Sequence, residues 1–166
     1  MANTRLTQGE LITELQARAQ RRDRYNLILV GMPLATAHRD AEELARALGA
    51  EYLDFDKELI ARMEADDWDY HVEAERSGDL SEGRRLAQAL IEVIADRLGR
   101  TRPVVIGNCN LVVRYQVDLA AGLLPASSRG LCVVCAGGKV QDGALLVHGT
   151  FKFTGAGTVP ALELLV

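Results

Sequence analysis

Three positions decide what chemistry this chain can carry: Thr36, Ala37 and His38. They follow the apolar run Leu27-Ile28-Leu29-Val30, which meets Gly31 and Pro33, and they precede a helical pattern over about residues 40–48 that Gly49 closes. An apolar strand, a turn and a helix in that order form the frame of a phosphate-binding loop, G-x-x-x-x-G-K-[ST]. In such a loop the second glycine lets backbone N–H groups curl around the phosphates. The lysine neutralises the β- and γ-phosphates, and the hydroxyl residue holds Mg²⁺. Counted from Gly31, those places are taken by Thr36, Ala37 and His38, and none supplies the required group. The competing account is plainer, because an apolar run followed by Gly-x-Pro is common in α/β proteins with no phosphate loop at all. His38 and Arg39 stand at the helix start, where two donor side chains and a helix end together could hold an anion.

A nucleotide-hydrolysing site also needs an acidic strand end, which orients Mg²⁺ and the attacking water. The matching run here is Val104-Val105-Ile106-Gly107-Asn108-Cys109-Asn110, where amides fill the acidic places at Asn108 and Asn110. An amide hydrogen-bonds, but it neither balances a metal's charge nor accepts a proton at neutral pH. The two losses complement each other and predict a site that does not turn over nucleotide.

Other constellations are sparse. His38, His71 and His148 lie far apart, without H-x-x-x-H or H-E-x-x-H spacing, so no metal site is expected. No Gly-x-Ser-x-Gly elbow occurs. Cys132 and Cys135 spell C-x-x-C, but they fall in a run that reads as a buried strand, where residues three apart point to opposite faces. With Cys109 they make three thiols and no disulfide framework.

Two stretches could meet partners. Asp66-Asp67-Trp68-Asp69-Tyr70 reads as an acidic loop holding the only tryptophan. Trp68 and Tyr70 there are either packing residues or interface anchors, with carboxylates that would steer a basic surface. Arg18, Arg21, Arg22 and Arg24 end the first helical pattern. They are either a solvated helix end that suits the helix dipole or a contact for nucleic acid or an acidic partner.

The elements that must position these residues alternate between strand and helix. Thr7-Gln8-Gly9-Glu10 fits a capping box and opens an N-terminal helix within residues 1–24; an α/β core over 25–166 follows. Expected strands are 27–30, 51–55, 104–106, 131–136 and 144–148. Asp56 is expected to cap a helix through Leu59, Ile60 and Met63, and Asp79 or Ser81 to open the longest helix, ending at Gly99. A further helix is expected over 115–124, turn chemistry over 137–143, and an extended tail from Phe151 with a kink at Gly155 and Gly157. The short apolar runs 27–30 and 104–106 suit neighbouring central strands covered by helices on both faces. The prediction is therefore a single α/β domain with a mainly parallel sheet, P-loop-NTPase-like with degenerate Walker motifs.

Composition agrees. A chain of 166 residues, 48% hydrophobic and 25% charged, can bury a real core, and a net charge of -4 supplies no global attraction to nucleic acid or anionic lipid. No apolar run is long enough to span a bilayer and the N-terminus has no signal-peptide core, so a cytoplasmic protein is expected.

The order of segments resembles the BrxF family, small P-loop proteins of BREX phage-defence systems. The resemblance runs over most of the length: the helix before Leu27-Ile28-Leu29-Val30-Gly31-Met32-Pro33, then Leu48-Gly49-Ala50-Glu51-Tyr52-Leu53-Asp54-Phe55-Asp56, then residues 104–112. It closes with Leu131-Cys132-Val133-Val134-Cys135-Ala136-Gly137-Gly138 and Asp142-Gly143-Ala144-Leu145. The resemblance implies a defence role and larger defence-system partners. The family's ATP binding does not carry over, because this chain departs at Thr36, Ala37, His38, Asn108 and Asn110. The resulting expectation is a non-catalytic subunit or adaptor that associates with larger proteins or with itself and needs no cofactor. Two alternatives remain. One is a nucleotide-binding or sensing protein that holds ATP at an unconventional site over residues 31–39. The other is a nucleic-acid-binding accessory protein that uses the N-terminal arginines.

Overall fold

The apolar runs become inner strands of one sheet. The computed structural model describes residues 4–21, 23–99, 102–153 and 159–165. Its elements are β1 (Arg5–Leu6), α1 (Gln8–Gln20), β2 (Leu27–Met32), α2 (Ala37–Leu48), β3 (Glu51–Asp54) and α3 (Phe55–Ser77). There follow α4 (Ser81–Arg97), β4 (Val104–Gly107), α5 (Leu111–Tyr115), α6 (Leu119–Leu123) and a 3₁₀ turn (Pro125–Arg129). The chain closes with β5 (Cys132–Gln141), β6 (Ala144–Val147), β7 (Phe151–Lys152) and β8 (Ala161–Leu164).

The sheet runs β1-β8-β2-β5-β4-β3, and every pair along that path is parallel. β5 outruns its neighbours and folds back through β6 and β7 as an antiparallel extension, so the whole is a mixed sheet of eight strands. Strand alternation divides the core. Ile28, Val30 and Met32 of β2 pack with Leu11 and Leu15 of α1 and Ala41 and Leu44 of α2. Leu27 and Leu29 pack on the other face with Leu59, Leu86, Leu90, Ile94, Leu119 and Leu123 from α3, α4 and α6. Cys132 and Cys135 fall in these opposite clusters, which keeps their sulfurs on opposite faces.

Several expectations are corrected. Residues 27–30 and 104–106 are both inner strands but not neighbours, because β5 lies between β2 and β4. Order along the chain does not encode lateral order in a sheet. The acidic stretch 66–70 is not a loop. It lies inside α3, which is kinked at Asp67 (φ −155°, ψ 93°), and Asp67 Oδ1 accepts the N–H of Tyr70 at 3.1 Å, capping the second half afresh. That makes α3, with 23 residues, longer than α4 with 17. Asp54, not Asp56, caps α3, by accepting the Lys57 N–H at 2.9 Å. The helix expected over 115–124 is replaced by α5 and α6, because Gln116 turns left-handed (φ 53°) and Asp118 caps anew. Residues 137–141 continue β5 rather than turn, which leaves Asp142 and Gly143, both at positive φ, as the two-residue hairpin turn. His148 sits just past β6 at φ 52°, not within a strand. The kink expected at Gly155 and Gly157 lies outside the described residues. The capping box is as expected: Thr7 and Glu10 satisfy each other's backbone N–H groups.

Candidate functional site

In open α/β sheets, ligands bind outside the carboxyl ends of the strands, where the strand order reverses. Here that place is beside β2, whose chain successors lie on both sides of it: β3 beyond β5 and β4, and β8 on the other flank. A cleft of about 360 Å³ opens there, within the range of small-ligand sites. Its walls are the loop and first turn over residues 34–39, the β4 exit over residues 108–110, Cys135, Ala136 and Gly137 of β5, and Val147.

The loop leaves β2 through a tight turn in which the Thr36 N–H donates to Pro33 O at 3.1 Å, and α2 begins at Ala37. Thr36 stands at the helix N-cap, yet its hydroxyl donates to Asp40 Oδ2 at 2.6 Å rather than accepting from the helix. Gly31 is not part of a curled loop at all. It pairs within β2 against Ala136 and Glu163, and a Cβ there would lie 2.7 Å from the Gly138 carbonyl oxygen. Close packing of β2 against the β5–β6 hairpin therefore explains this glycine.

His38 and Arg39 are exposed at the cleft rim. Tyr52 Oη and His38 Nδ1 lie 2.8 Å apart. Burial, reinforced by the carboxylates of Asp54 and Glu42, holds the Tyr52 phenol well above its ordinary pKa. Tyr52 therefore keeps its proton and can donate it to Nδ1, an arrangement that leaves the imidazole proton on Nε2. Arg39, itself exposed, reaches Asp40 at 3.6 Å and Glu43 at 3.9 Å, both loose pairs.

At the β4 exit the polar groups bond one another. Asn108 adopts φ 52°, a left-handed backbone that asparagine tolerates better than most residues. Its Nδ2 donates to Asp54 Oδ1 at 2.9 Å, and its Oδ1 accepts from Asn110 Nδ2 at 2.8 Å. Asp56 is buried, and its carboxylate accepts the N–H groups of Asn110 and Leu111 at 3.1 and 2.9 Å, which starts α5. Burial raises the Asp56 pKa, against the pull of those hydrogen bonds. The Cys109 thiol, fully buried, donates to the Cys135 carbonyl at 3.6 Å and is kept protonated chiefly by burial, with the Asp56 charge adding.

The spacing-based candidates Thr36, Ala37, His38, Arg39, Asn108 and Asn110 thus meet in one cleft, while Gly31 is paired within β2 and Pro33 lines a separate hollow with Met32, Gly138 and Leu146. Tyr52, Asp54 and Asp56 complete the network and are not singled out by sequence spacing. Trp68 and Tyr70 sit elsewhere, on α3, and are 46% and 50% exposed. Trp68 lines an apolar groove of about 430 Å³ with Ile60, Met63, Val72, Leu111 and Tyr115. Arg18 pairs with Glu14 at 2.7 Å, Arg21 and Arg24 are exposed, and Arg22 lies outside the described residues. Among the described residues there is no cluster of three or more His, Cys, Asp or Glu side chains suited to a metal, and no helix long and apolar enough to cross a membrane.

The α/β architecture defines the class of fold. Comparison with family models, with curated proteins and with solved structures finds no match.

Proposed function

We propose that the chain is a P-loop-like subunit with degenerate Walker motifs that acts without catalysis, by docking to larger proteins of a BREX-type antiphage assembly. The observation that carries the reading is the chemistry of the cleft. No Asp, Glu or Lys is among its described lining residues, and the carboxylates bonded to that lining are engaged: Asp40 accepts from the Thr36 hydroxyl, Asp54 from the Lys57 N–H and Asn108, and Asp56 from the Asn110 and Leu111 N–H groups. Phosphoryl transfer needs charge neutralisation and metal positioning, and neither is provided by Ala37, Asn108 or Asn110. A fold of this kind survives loss of its site because core packing does not depend on it. Docking is supported by Trp68 and Tyr70, whose rings stand half in solvent beside Asp66, Asp67 and Asp69. The defence context follows from the resemblance to the BrxF family.

The test is co-expression with the products of neighbouring genes, followed by size-exclusion chromatography. The reading expects a stable larger complex that Trp68→Ala/Tyr70→Ala dissolves without lowering the thermal midpoint. Elution as a single chain in every combination contradicts it.

A second reading, nucleotide sensing at residues 31–39, draws on one specific observation. Tyr52 Oη stands 2.8 Å from His38 Nδ1 at the mouth of the cleft, and a phenol that donates there leaves Nε2 as a donor. ATP binding that His38→Ala abolishes would favour it over the first.

A further inference from the structure

The opposite edge of the sheet gathers arginines that the cleft does not use. Leu27 opens β2, Val104 opens β4, and both are register partners of Cys132, which opens β5. The segments leading into these three strands therefore arrive side by side. Arg21 and Arg24 precede β2, Arg129 precedes β5 and Arg102 precedes β4, and all four side chains are exposed. Adjacent strands are about 4.8 Å apart, so the three strand starts span about 10 Å.

The band has a built scaffold. Asn26, 7% exposed, donates its N–H to Ser127 O at 3.2 Å and Oγ at 3.1 Å, and its Nδ2 to Arg18 O at 3.1 Å. Its carbonyl accepts the Cys132 N–H at 2.9 Å, so one buried amide ties the end of α1 to the 3₁₀ turn and to β5. Val104 N–H donates to Leu131 O at 3.1 Å and joins the third segment. Arg129 Nη2 donates to Ala95 O at 2.8 Å, which orients the guanidinium and leaves its other N–H groups for a ligand. Gly99, at φ 77°, lets the end of α4 approach the Arg129 backbone, where a Cβ would stand 2.3 Å from the carbonyl oxygen. Arg24 lies 5.2 Å over the ring of Tyr25, itself 36% exposed.

Counter-charge on this edge is limited. Among the described residues, Asp23, Asp96 and Glu51 are the carboxylates in or beside these segments, against Arg21, Arg24, Arg102 and Arg129. Arg97 turns toward the β3 side, where it lines a hollow with Glu42, Glu51 and Glu58. The edge is thus basic in a chain of net charge -4, and the acid excess lies on α3.

We propose that this amino-terminal edge binds a nucleic-acid strand, with Arg21, Arg24, Arg102 and Arg129 on its phosphates and Tyr25 as a stacking platform for a base. Every cation in the band is an arginine, whose planar fork matches phosphate better than a lysine's point charge. An exposed ring among arginines supplies a stacking surface for an open base beside the phosphate contacts. The proposal is independent of the cleft and of the docking role above.

The experiment is fluorescence anisotropy of the full chain with a labelled single strand of about 16 nucleotides, as DNA and as RNA, and with the DNA duplex. Four phosphate contacts at about 0.7 each predict a log–log salt slope near −3, or about 50-fold weaker binding between about 50 and 200 mM salt. R102E/R129E should weaken binding at least tenfold with an unchanged thermal midpoint. Should Arg129→Glu unfold the chain by losing its contact to Ala95, R24E/R102E gives the same reading. Tyr25→Ala should weaken single-strand binding more than duplex binding. No binding by the unaltered chain at the lower salt, or equal binding by the charge-reversed variants, overturns the proposal. Displacement of the strand by polyglutamate at equal charge concentration also overturns it and assigns the edge to an acidic protein.

Discussion

At the carboxyl edge of the sheet, Asp54, Asp56, Asn108 and Asn110 bond one another and the backbone; at the amino edge, Arg21, Arg24 and Arg102 face solvent. Both edges hold polar residues at strand ends, and along the sequence they look alike. Their difference lies in what the polar atoms already do. A carboxylate that caps a helix already gives some of its lone pairs to backbone N–H groups. A guanidinium held at one nitrogen, as in Arg129, keeps several donors for a partner. Residue type names the chemistry that is available, and hydrogen bonding decides whether it is free.

The strongest test of that contrast is Asp56→Ala. It leaves the Asn110 and Leu111 N–H groups without their acceptor, and urea unfolding should show a loss of about 3 kcal/mol, with the β4 exit loosened. Were Asp56 an ionised functional group rather than a cap, its removal would stabilise the fold, as removal of an isolated buried charge does.

Two glycines of the strand–loop–helix frame sharpen the comparison. Gly31→Ala drives a Cβ to 2.7 Å from the Gly138 carbonyl and should cost about 2 kcal/mol. Gly49→Ala meets nothing within 4 Å but must hold φ 61°, so about 1 kcal/mol is expected. The order of the two in thermal melts separates a packing glycine from a helix-ending one, and the reverse order would undo this account of Gly31.

Trp68→Ala/Tyr70→Ala should cost no more than about 1 kcal/mol, because both rings stand about half in solvent. A larger loss in the same melt would assign the rings to the core. The smallest expected effect concerns pH. Glu75 accepts from Arg114 and Tyr115, and its pKa is held below the ordinary 4.5, first by the Arg114 hydrogen bond. Its contribution is complete above the ordinary carboxylate value and is lost as pH falls through the depressed one. Stability curves of the unaltered chain and Glu75→Gln should therefore differ at neutral pH and converge in acid.

Local features are legible in the sequence. The capping box of Thr7 and Glu10, the apolar runs of β2 and β4 and the opposed faces of Cys132 and Cys135 all follow from spacing within one element. Thr36, His38, Asn108 and Asn110 are also found from spacing, because a strand–loop–helix count carries across a single turn. Long-range features are not legible. Insertion of β5 between β2 and β4 is a lateral choice that strand pattern does not encode. Asp56 reaches across 54 residues to start α5, and from sequence it is indistinguishable from a cap for its own helix. The acid-rich residues 66–70 read as loop, yet Asp67 breaks one helical turn and caps the next, so the helix resumes. The arginine band at the amino edge becomes visible only once register brings residues 24, 102 and 129 to one side.

The claim on which the proposed docking role depends is that the cleft beside β2 does not process nucleotide. Calorimetric titration with MgATP and MgGTP, run beside a phosphate-release assay on the same preparation, tests it directly. The account predicts no turnover of either nucleotide, with the unaltered chain and with His38→Ala and Asn108→Ala giving the same background. Hydrolysis by the unaltered chain that disappears in either variant would contradict it and return the cleft to catalysis.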